Sequence, residues 1–494
     1  MTIHRRLFKS GFTIGSGQMV SQACAFIQNV IAARLLSPQS YGIAATFSMT
    51  FYLVDMFSNL GIGTHLIQAE DGNEPRFERT AQLLLALRGM INAAFIFVLA
   101  GPISSLFGVP QARWAFRCLA LTPLLKSFGH LDTVRFQREM RFGPAIAVDA
   151  TSNLLVTLAA LPLCWWLRDY TAMLWILVLQ AAFSAIGAQI AAERRYGWAW
   201  DSGYARRMLA FGWPLLINGF LMYGIFQGDR FVIGAAKRLF AHSTYTLADL
   251  GIYSVAFTLT MVPTTLVGNV GTSLILPHLA RVQKDRPQFE RRYIVLNQMI
   301  ALLAGMISIP YIVAGGWLVI LVYGTKYAAA AGFIGWLGAM WALRTIRIAP
   351  TLAAMSMGDT RNSMISNVAR TLALVGVLLA AATGQPITWI AISGFLGELL
   401  ALAVCVGRLQ REHGVRAMLC LKPFSFAATG MIIAGIVWAG GVAHLGWRLA
   451  FPVAAGLVLV QFLVMVSVFP DLRRNLRLLL FKPQEALAGE GVAS

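Results

Sequence analysis

Long apolar stretches separated by short polar segments run along almost the whole chain. A stretch of roughly 20 apolar residues is long enough to cross the hydrocarbon core of a bilayer as a helix. The pattern predicts fourteen such helices, near residues 12–33, 40–62, 80–101, 114–130, 143–166, 171–190, 208–232, 249–277, 294–323, 328–355, 361–382, 386–407, 424–443 and 449–469. We therefore expect an all-α membrane protein with little chain left for a domain outside the bilayer.

The Lys and Arg residues between these stretches alternate from rich to poor segments. If both termini lie in the cytoplasm, the cytoplasmic segments hold 26 of these residues and the opposite segments hold 7. Short cytoplasmic loops of membrane proteins carry the excess of Lys and Arg. Removing any one predicted helix would destroy the alternation, so the charge pattern supports fourteen spans and two cytoplasmic termini.

The connector between the fourth and fifth predicted spans has a pattern of its own. Bulky and basic side chains alternate over residues 135–142. Such alternation is typical of a helix end at the membrane interface, and it fits an ordinary basic loop equally well.

Composition narrows the class of function. Of the 494 residues, 57% are hydrophobic and only 12% are charged, against about 25% charged in a soluble chain. The net charge of +19 is spread over the connectors rather than gathered in one patch, which argues against a nucleic-acid partner. The five cysteines form no CxxC motif, and no GxxxxGK(S/T) loop is present. We therefore expect neither a metal nor a cofactor, and no ATP-driven pumping by this chain alone.

Two segments of the chain resemble each other weakly. Residues 33–61 and 247–271 both begin with a polar turn, continue through a cluster of Tyr, Gly and Ile, and end in Asn-x-Gly after an apolar helix. Internal repeats are common in transporters. We predict a first lobe of six helices over residues 1–207, a second over 208–407, and two further helices with a basic tail over 408–494.

Eleven charged residues fall within the predicted spans and together carry a net charge of +3. A charged side chain at the centre of a membrane helix costs roughly 2.5–3.5 kcal/mol on insertion scales. These residues should therefore form pairs or face a polar cavity between helix bundles. The basic ones are Arg88, Arg117, Lys126, Arg230, Arg344, Arg347 and Arg370, and the acidic ones are Asp55, Asp149, Asp229 and Glu398.

Arginine pairs within a membrane cavity favour an anionic substrate. Arg344 and Arg347 are three residues apart and share one helical face, and guanidinium groups bind phosphate oxygens in pairs. The arginines predicted to bind a diphosphate are Arg88, Arg344, Arg347 and Arg370. The residues predicted to couple transport to ions or to gate it are Asp55, Asp149, Asp229, Arg230 and Glu398. Buried ion pairs, interfacial contacts and snorkelling to lipid headgroups are alternative roles for these side chains.

Several segments resemble those of a known family. They are ARLLSPQSYGIAA (33–45), RFQREMRFGPAIAVD (135–149), FGWPLLINGFLMYGIFQGDRFVIGAA (211–236) and LGIYSVAFTLTMVPT (250–264). In order and spacing they resemble Wzx-like polysaccharide flippases of the multidrug/oligosaccharidyl-lipid/polysaccharide exporter superfamily. The subgroup resembled is that of exopolysaccharide exporters of the succinoglycan, xanthan and colanic acid type.

The resemblance implies a fold, a substrate and a place in the cell. It implies two six-helix lobes around a central cavity that opens alternately to each side of the bacterial inner membrane. The implied substrate is a polyprenyl-diphosphate-linked oligosaccharide, carried from the cytoplasmic to the periplasmic leaflet, with a polysaccharide polymerase and co-polymerase as candidate partners. Span one has no arginine before Arg34 at its end, whereas lipid II flippases of this superfamily place arginines in their first two spans. This difference argues against a peptidoglycan precursor as the substrate.

Three other functions stay open from the sequence. A drug/cation antiporter of the same superfamily would need an acidic cavity, which the net charge of +3 opposes. A membrane-embedded enzyme of polysaccharide assembly would need a large catalytic loop or a deep His, but all seven histidines lie in loops or at helix ends. A structural scaffold for polysaccharide assembly would tolerate neutralisation of the central arginines.

Overall fold

The computed structural model describes the backbone of residues 3–441 and 446–481, and the side chains of residues 17–476 apart from 270, 273, 274 and 442–445. Within these residues every regular element is helical. Five basic residues of the predicted cytoplasmic flank and tail lie outside the described side chains: Arg5, Arg6, Lys9, Arg477 and Lys482.

The described part of the chain contains twenty α-helices joined by short connectors. Their bounds are α1 Ile3–Leu35, α2 Pro38–Phe57, α3 Ile62–Gln68, α4 Pro75–Leu106, α5 Arg113–Leu119, α6 Leu121–Ser127, α7 Asp132–Arg138, α8 Gly143–Leu167, α9 Thr171–Ala191, α10 Ser202–Leu239, α11 Leu247–Val270, α12 Leu276–Ala280, α13 Arg286–Tyr323, α14 Ile334–Ser356, α15 Arg361–Thr371, α16 Ala373–Ala382, α17 Thr388–His413, α18 Met418–Ala439, α19 Trp447–Val468 and α20 Pro470–Phe481. Short 3₁₀ segments cover Pro110–Ala112 and Thr325–Gly332, and a π-helical turn covers Gly271–Ile275.

All fourteen predicted apolar stretches coincide with helices. Ten spans in the described part are long and apolar enough to cross a membrane, and the bent pair of Thr325–Gly332 and α14 would make eleven. The other three predicted spans fall on α1, α2 and the pair α5–α6. The all-helical membrane class is confirmed, whereas the number of fourteen stays a prediction.

The predicted span at 114–130 is broken in the structure. Helix α5 ends at Leu119 and α6 begins at Leu121, so each has seven residues. Pro123 has no N–H to donate to the carbonyl of Leu119, and its ring crowds that carbonyl. Neither helix alone is long enough to cross a bilayer.

Polar residues at the connectors set where two of the long helices begin. At the start of α2, Ser37 Oγ accepts a hydrogen bond from the backbone N–H of Ser40 at 3.1 Å. At the start of α10, Asp201 Oδ1 accepts from the N–H groups of Gly203 and Tyr204 at 2.9 and 3.2 Å. These bonds satisfy N–H groups that lack partners within the helix.

The chain divides into two compact units. Unit 1 comprises residues 1–255, 322–327 and 374–389, and unit 2 comprises residues 256–321, 328–373 and those from 390 onward. One apolar core of unit 1 gathers residues of α3, α4 and α10 around Phe77, which is fully buried. A larger core in unit 2 gathers residues of α13, α14 and α17–α20 around Phe289 and Tyr293. The predicted lobes 1–207, 208–407 and 408–494 are a division by helix number and stay a prediction.

The first turns of α2 and α11, which belong to the two mutually similar segments, pack against each other within unit 1. A Cβ atom added to Gly42 of α2 would lie 1.7 Å from the carbonyl oxygen of Leu247 in α11. A Cβ atom added to Gly251 of α11 would lie 2.1 Å from the carbonyl oxygen of Pro38 in α2. Gly42 thus contacts Leu247, which lies four residues before Gly251. In the same way Gly251 contacts Pro38, which lies four residues before Gly42. Small residues allow membrane helices to approach this closely.

Candidate functional site

Four of the predicted site residues meet within unit 2. Arg344 Nη1 donates to Glu398 Oε1 at 3.0 Å, and Arg347 Nε donates to Glu398 Oε2 at 3.3 Å. Arg370 forms a third ion pair with Glu398 Oε1. Glu398 is fully buried, and Arg347 and Arg370 are only 6% and 7% exposed. We call these four residues the arginine cluster.

Helix geometry brings the cluster together. Arg344 and Arg347 share one face of α14, as their spacing predicts. Gly397 precedes the glutamate on α17, and a Cβ atom there would lie 2.4 Å from the side chain of Ala373 and 3.1 Å from the carbonyl oxygen of Arg370. Since only a glycine fits this gap, α17 approaches the end of α15 closely enough for Glu398 to reach Arg370.

Neighbouring side chains orient two of the guanidinium groups. Arg347 Nη1 donates to Asn367 Oδ1 of α15 at 3.1 Å. The guanidinium carbon of Arg344 lies 5.4 Å from the centre of the Trp341 ring, one turn earlier on α14. A cation over an aromatic face is attracted to the electrons of the ring. Arg344 therefore has a fixed direction although its side chain is the most exposed of the three, at 18%.

The cluster carries more positive than negative charge. Three guanidinium groups share one carboxylate, so the four side chains have a net charge of +2. Charge that is buried without compensation is costly within a protein or a membrane. A polyanion with oxygens on more than one phosphorus would offset this charge and accept the paired N–H donors of arginine.

Arg88 has a different environment in unit 1. Its Nη2 donates to the carboxylate and to the backbone carbonyl of Asp55, both at 2.7 Å, and its Nε donates to Ser58 Oγ at 3.0 Å. Asn92, one turn further along α4, also donates to Ser58 Oγ at 2.8 Å. Here one arginine meets one carboxylate, so the pair is neutral. The Asp55 side chain is 40% exposed.

The remaining predicted residues lie apart in unit 1. Asp149 of α8 accepts a hydrogen bond from Ser21 Oγ of α1 at 2.8 Å. Asp229 of α10 accepts from the hydroxyl of Tyr253 in α11 at 2.7 Å, and Arg230 Nη2 donates to the carbonyl of Phe226 at 2.7 Å. The contacts of Asp149 and Asp229 join neighbouring helices, whereas the bond from Arg230 to Phe226 lies within α10. Each residue's role in coupling or gating stays a prediction.

Sequence reasoning missed a polar network around α7. Arg135 is 6% exposed and forms ion pairs with Asp132, Glu139 and Glu193. Residues 135–138 form the end of α7, and Arg135 joins that end to the segment after α9. A position of this connector at the membrane interface stays a prediction. The spacing of Asp132, Arg135 and Glu139, at intervals of three and four residues, was a signal for pairing along one helical face. The contact with Glu193 is set by tertiary packing and has no such signal.

Charge within this network explains the shifted acidity of Asp132, which lies outside the membrane-spanning helices. Burial alone would raise the pKa of its carboxyl group. Hydrogen bonds from Arg135 and from the backbone N–H groups of Arg194 and Glu193 outweigh that effect and hold the pKa below its usual value. The carboxylate therefore stays ionised and anchors the 193–194 segment to α7.

Three buried groups near α7 have the residue types of a metal site, but two of them already pair with arginine side chains. Potential ligand atoms of Glu78, His130 and Asp132 lie within 4.8 Å of one another. Glu78 already forms an ion pair with Arg194, and Asp132 with Arg135. A divalent cation would have to displace both guanidinium groups, so this arrangement does not favour a metal.

Comparison with protein families agrees with the fold and the resemblance drawn from the sequence. A family model described as "Polysaccharide biosynthesis protein" matches residues 31–332. The teichuronic acid biosynthesis protein TuaB of Bacillus subtilis is 23% identical over 436 residues, which cover 85% of this chain and 86% of that protein. The succinoglycan biosynthesis transport protein ExoT of Rhizobium meliloti is 24% identical over 315 residues, which cover 63% of this chain and 61% of that protein.

Solved structures share the fold at low identity. The lipid II flippase MurJ in an inward closed conformation aligns with a TM-score of 0.67 and 13% identity, covering 92% of this chain and 98% of that one. An inward-facing multidrug resistance transporter of the MATE family aligns with a TM-score of 0.63 and 13% identity, covering 80% of this chain and 96% of that one. The similarity to the exporter superfamily inferred from the sequence is thus confirmed at the level of fold.

Proposed function

Because this chain belongs to the polysaccharide biosynthesis protein family, we propose that it is a flippase for lipid-linked oligosaccharides. It moves polyprenyl-diphosphate-linked repeat units of an exopolysaccharide from the cytoplasmic to the periplasmic leaflet of the bacterial inner membrane. Both termini lie in the cytoplasm, and the lipid passes through without a chemical change. A polysaccharide polymerase and co-polymerase are its proposed partners.

The arginine cluster is the observation that carries this proposal. Its net charge of +2 lies on helices that also hold apolar spans. A diphosphate linkage has negative charge on both phosphates, and a guanidinium group stays protonated at any physiological pH. Arg344, the most exposed of the three, contacts the diphosphate directly. Arg347 and Arg370 are more deeply buried and attract the diphosphate electrostatically. Glu398 keeps all three guanidinium groups in place.

The neutral pair of Arg88 and Asp55 is proposed to couple transport to a proton gradient. While Asp55 is ionised, Arg88 is held by its carboxylate. When Asp55 takes up a proton, the ion pair is lost and Arg88 is available to a diphosphate. Under this proposal Asp55→Asn removes the dependence of transport on a pH gradient, which a comparison of export rates at several external pH values would detect. Asp149 and Asp229 are proposed gate residues through their contacts between neighbouring helices, and Arg230 through its position beside Asp229 on α10.

The fold also occurs in drug antiporters, so a MATE-like exporter is the second candidate function. A cationic drug needs a site with negative charge, because like charges repel in a medium of low dielectric constant. The arginine cluster has the opposite charge. It therefore favours an anionic substrate over a cationic drug.

Deletion of the gene tests the proposed function. Complete but unpolymerised oligosaccharide units on polyprenyl diphosphate should accumulate on the cytoplasmic face, because synthesis continues while translocation stops. Truncated sugars would indicate an enzyme of assembly instead. Unchanged lipid intermediates together with increased drug sensitivity would indicate a drug exporter.

A further inference from the structure

A cavity of about 300 Å³ lies in unit 1, and none of its lining residues belongs to the arginine cluster. It is formed by the first turns of α4, the segment that joins α6 to α7, and the segment that follows α9. Its polar lining consists of Glu78, Arg79, Gln82, His130, Arg194 and Arg195. The charge pattern of the connectors predicts that this side of the protein faces the cytoplasm.

The charge of the cavity is positive. Three guanidinium groups and one carboxylate line it, which gives a net charge of +2. Arg194 forms an ion pair with Glu78. Arg79 and Arg195 are exposed, and neither forms an ion pair with any residue that the structure describes. Two guanidinium groups are thus available to an anion.

Gln82 holds the backbone on both sides of His130. Its Nε2 donates to the carbonyl of Gly129 at 2.9 Å, and its Oε1 accepts from the N–H of Leu131 at 3.1 Å. The imidazole is fixed as well, because His130 Nδ1 accepts from the N–H of Asp132 at 3.0 Å. The histidine therefore has one defined orientation at the wall of the cavity.

This orientation leaves the ring N–H donor of His130 without an acceptor among the described residues. Since Nδ1 accepts a hydrogen bond, the proton of the neutral ring is on Nε2. His130 is only 5% exposed, and its Nε2 has no hydrogen-bond partner among the described residues. A buried donor without an acceptor is unfavourable, and such groups are uncommon in folded proteins. An oxygen of a bound anion would satisfy it.

We propose that this cavity is a phosphate-binding site, distinct from the arginine cluster, in which Arg79, Arg195 and His130 Nε2 bind the phosphate oxygens. Arginine pairs and a neutral N–H donor are suited to a tetrahedral oxyanion. The phosphate comes either from free inorganic phosphate or from the headgroup of an anionic phospholipid on the cytoplasmic side.

Thermal unfolding of the full chain in neutral detergent tests the site with inorganic phosphate as the probe. Phosphate should raise the melting temperature above that measured with chloride at the same ionic strength. The double variant Arg79→Gln/Arg195→Gln should weaken the apparent affinity by at least about tenfold. Phosphate is also expected to bind at the arginine cluster, so only the part of the response that this double variant removes is assigned to the cavity.

A second measurement separates the two sources of phosphate. Nanodiscs of phosphatidylglycerol and of phosphatidylcholine are compared, and a greater stabilisation by phosphatidylglycerol that the double variant loses would identify a lipid headgroup. A response to inorganic phosphate that the double variant loses, together with equal stability in the two kinds of nanodisc, would identify the free anion. Either result supports the site.

Matched variants distinguish binding from a general effect on folding. Arg76 lies one turn before Arg79 on α4, is exposed and pairs with Asp201 at 3.2 Å, so Arg76→Gln should respond as the unaltered chain does. His130→Phe removes the N–H donor but keeps a ring, and it should weaken binding too. The double variant Arg79→Lys/Arg195→Lys should restore part of the affinity. The proposal is overturned if Arg79→Gln/Arg195→Gln responds fully to both probes, or if the unaltered chain responds to neither.

Discussion

At the scale of single residues, the carboxylate of Glu398 is shared by three buried or half-buried arginines. Glu398→Gln removes the carboxylate that these three guanidinium groups share, and breaking a buried ion pair in this way costs roughly 3–5 kcal/mol. We expect the free energy of unfolding in detergent to fall by that amount. Arg370→Gln should cost less, because two guanidinium groups still face the carboxylate.

A neighbour on the same helix supplies the control. Glu412 of α17 is exposed and lies 3.5 Å from Arg408, and exposed pairs of this kind contribute about 0–1 kcal/mol. Glu412→Gln should therefore leave unfolding almost unchanged. Equal stability of the two glutamate variants would show that Glu398 does not hold the cluster together.

The sequence pointed to the residues that meet in this cluster, but it did not predict which of them pair with each other. Arg344, Arg347, Arg370 and Glu398 stand out because a charge within an apolar stretch is costly and therefore needs a reason. That all three arginines meet one carboxylate depends on the close approach of α17 to α15 at Gly397. No local pattern encodes that approach. For the same reason His130 gave no signal, since its importance comes from a cavity between distant segments.

At the scale of helices, the close contact of α2 and α11 depends on two glycines. Gly42→Ala would place a methyl group within 1.7 Å of a carbonyl oxygen, so the helices must move apart. Overpacking of this kind costs about 1–3 kcal/mol, and we expect a lower melting temperature in detergent. Gly407→Ala in α17 is the control, because no neighbouring atom lies within 4 Å of the added carbon. Identical melting temperatures would contradict the contact.

The apolar pattern predicted where the helices lie, but it did not predict where a helix is interrupted. Each predicted stretch coincides with a helix because burial in lipid requires the backbone to satisfy its own hydrogen bonds. The break before Pro123 and the π-helical turn at Gly271–Ile275 lie inside stretches that the apolar pattern predicts as continuous spans. Proline is tolerated in membrane helices, so the residue alone does not reveal whether a helix bends or stops.

At the scale of the whole molecule, the charge pattern predicts which connectors face each side. Four of the five native cysteines are buried and Cys118 is half-buried, so single exposed cysteines can be added to the native chain. A membrane-impermeant maleimide should label Arg448→Cys in intact spheroplasts, and Arg411→Cys only after permeabilisation. The native chain should remain unlabelled in both conditions. Labelling of Arg411→Cys in intact spheroplasts, and of Arg448→Cys only after permeabilisation, would contradict the predicted topology.

Transport in proteoliposomes tests the central claim most directly. Polyprenyl-diphosphate oligosaccharide is placed in both leaflets, and an impermeant enzyme then removes sugar from the outer leaflet alone. The unaltered protein should expose the inner pool to the enzyme, whereas Arg344→Gln should slow this exposure at least about tenfold because a direct contact with the diphosphate is lost. Arg411→Gln, at an exposed position near the end of α17, should transport at the unaltered rate. An inner pool that stays protected with the unaltered protein, or an Arg344→Gln variant as fast as that protein, would contradict a flippase that binds its substrate through the arginine cluster.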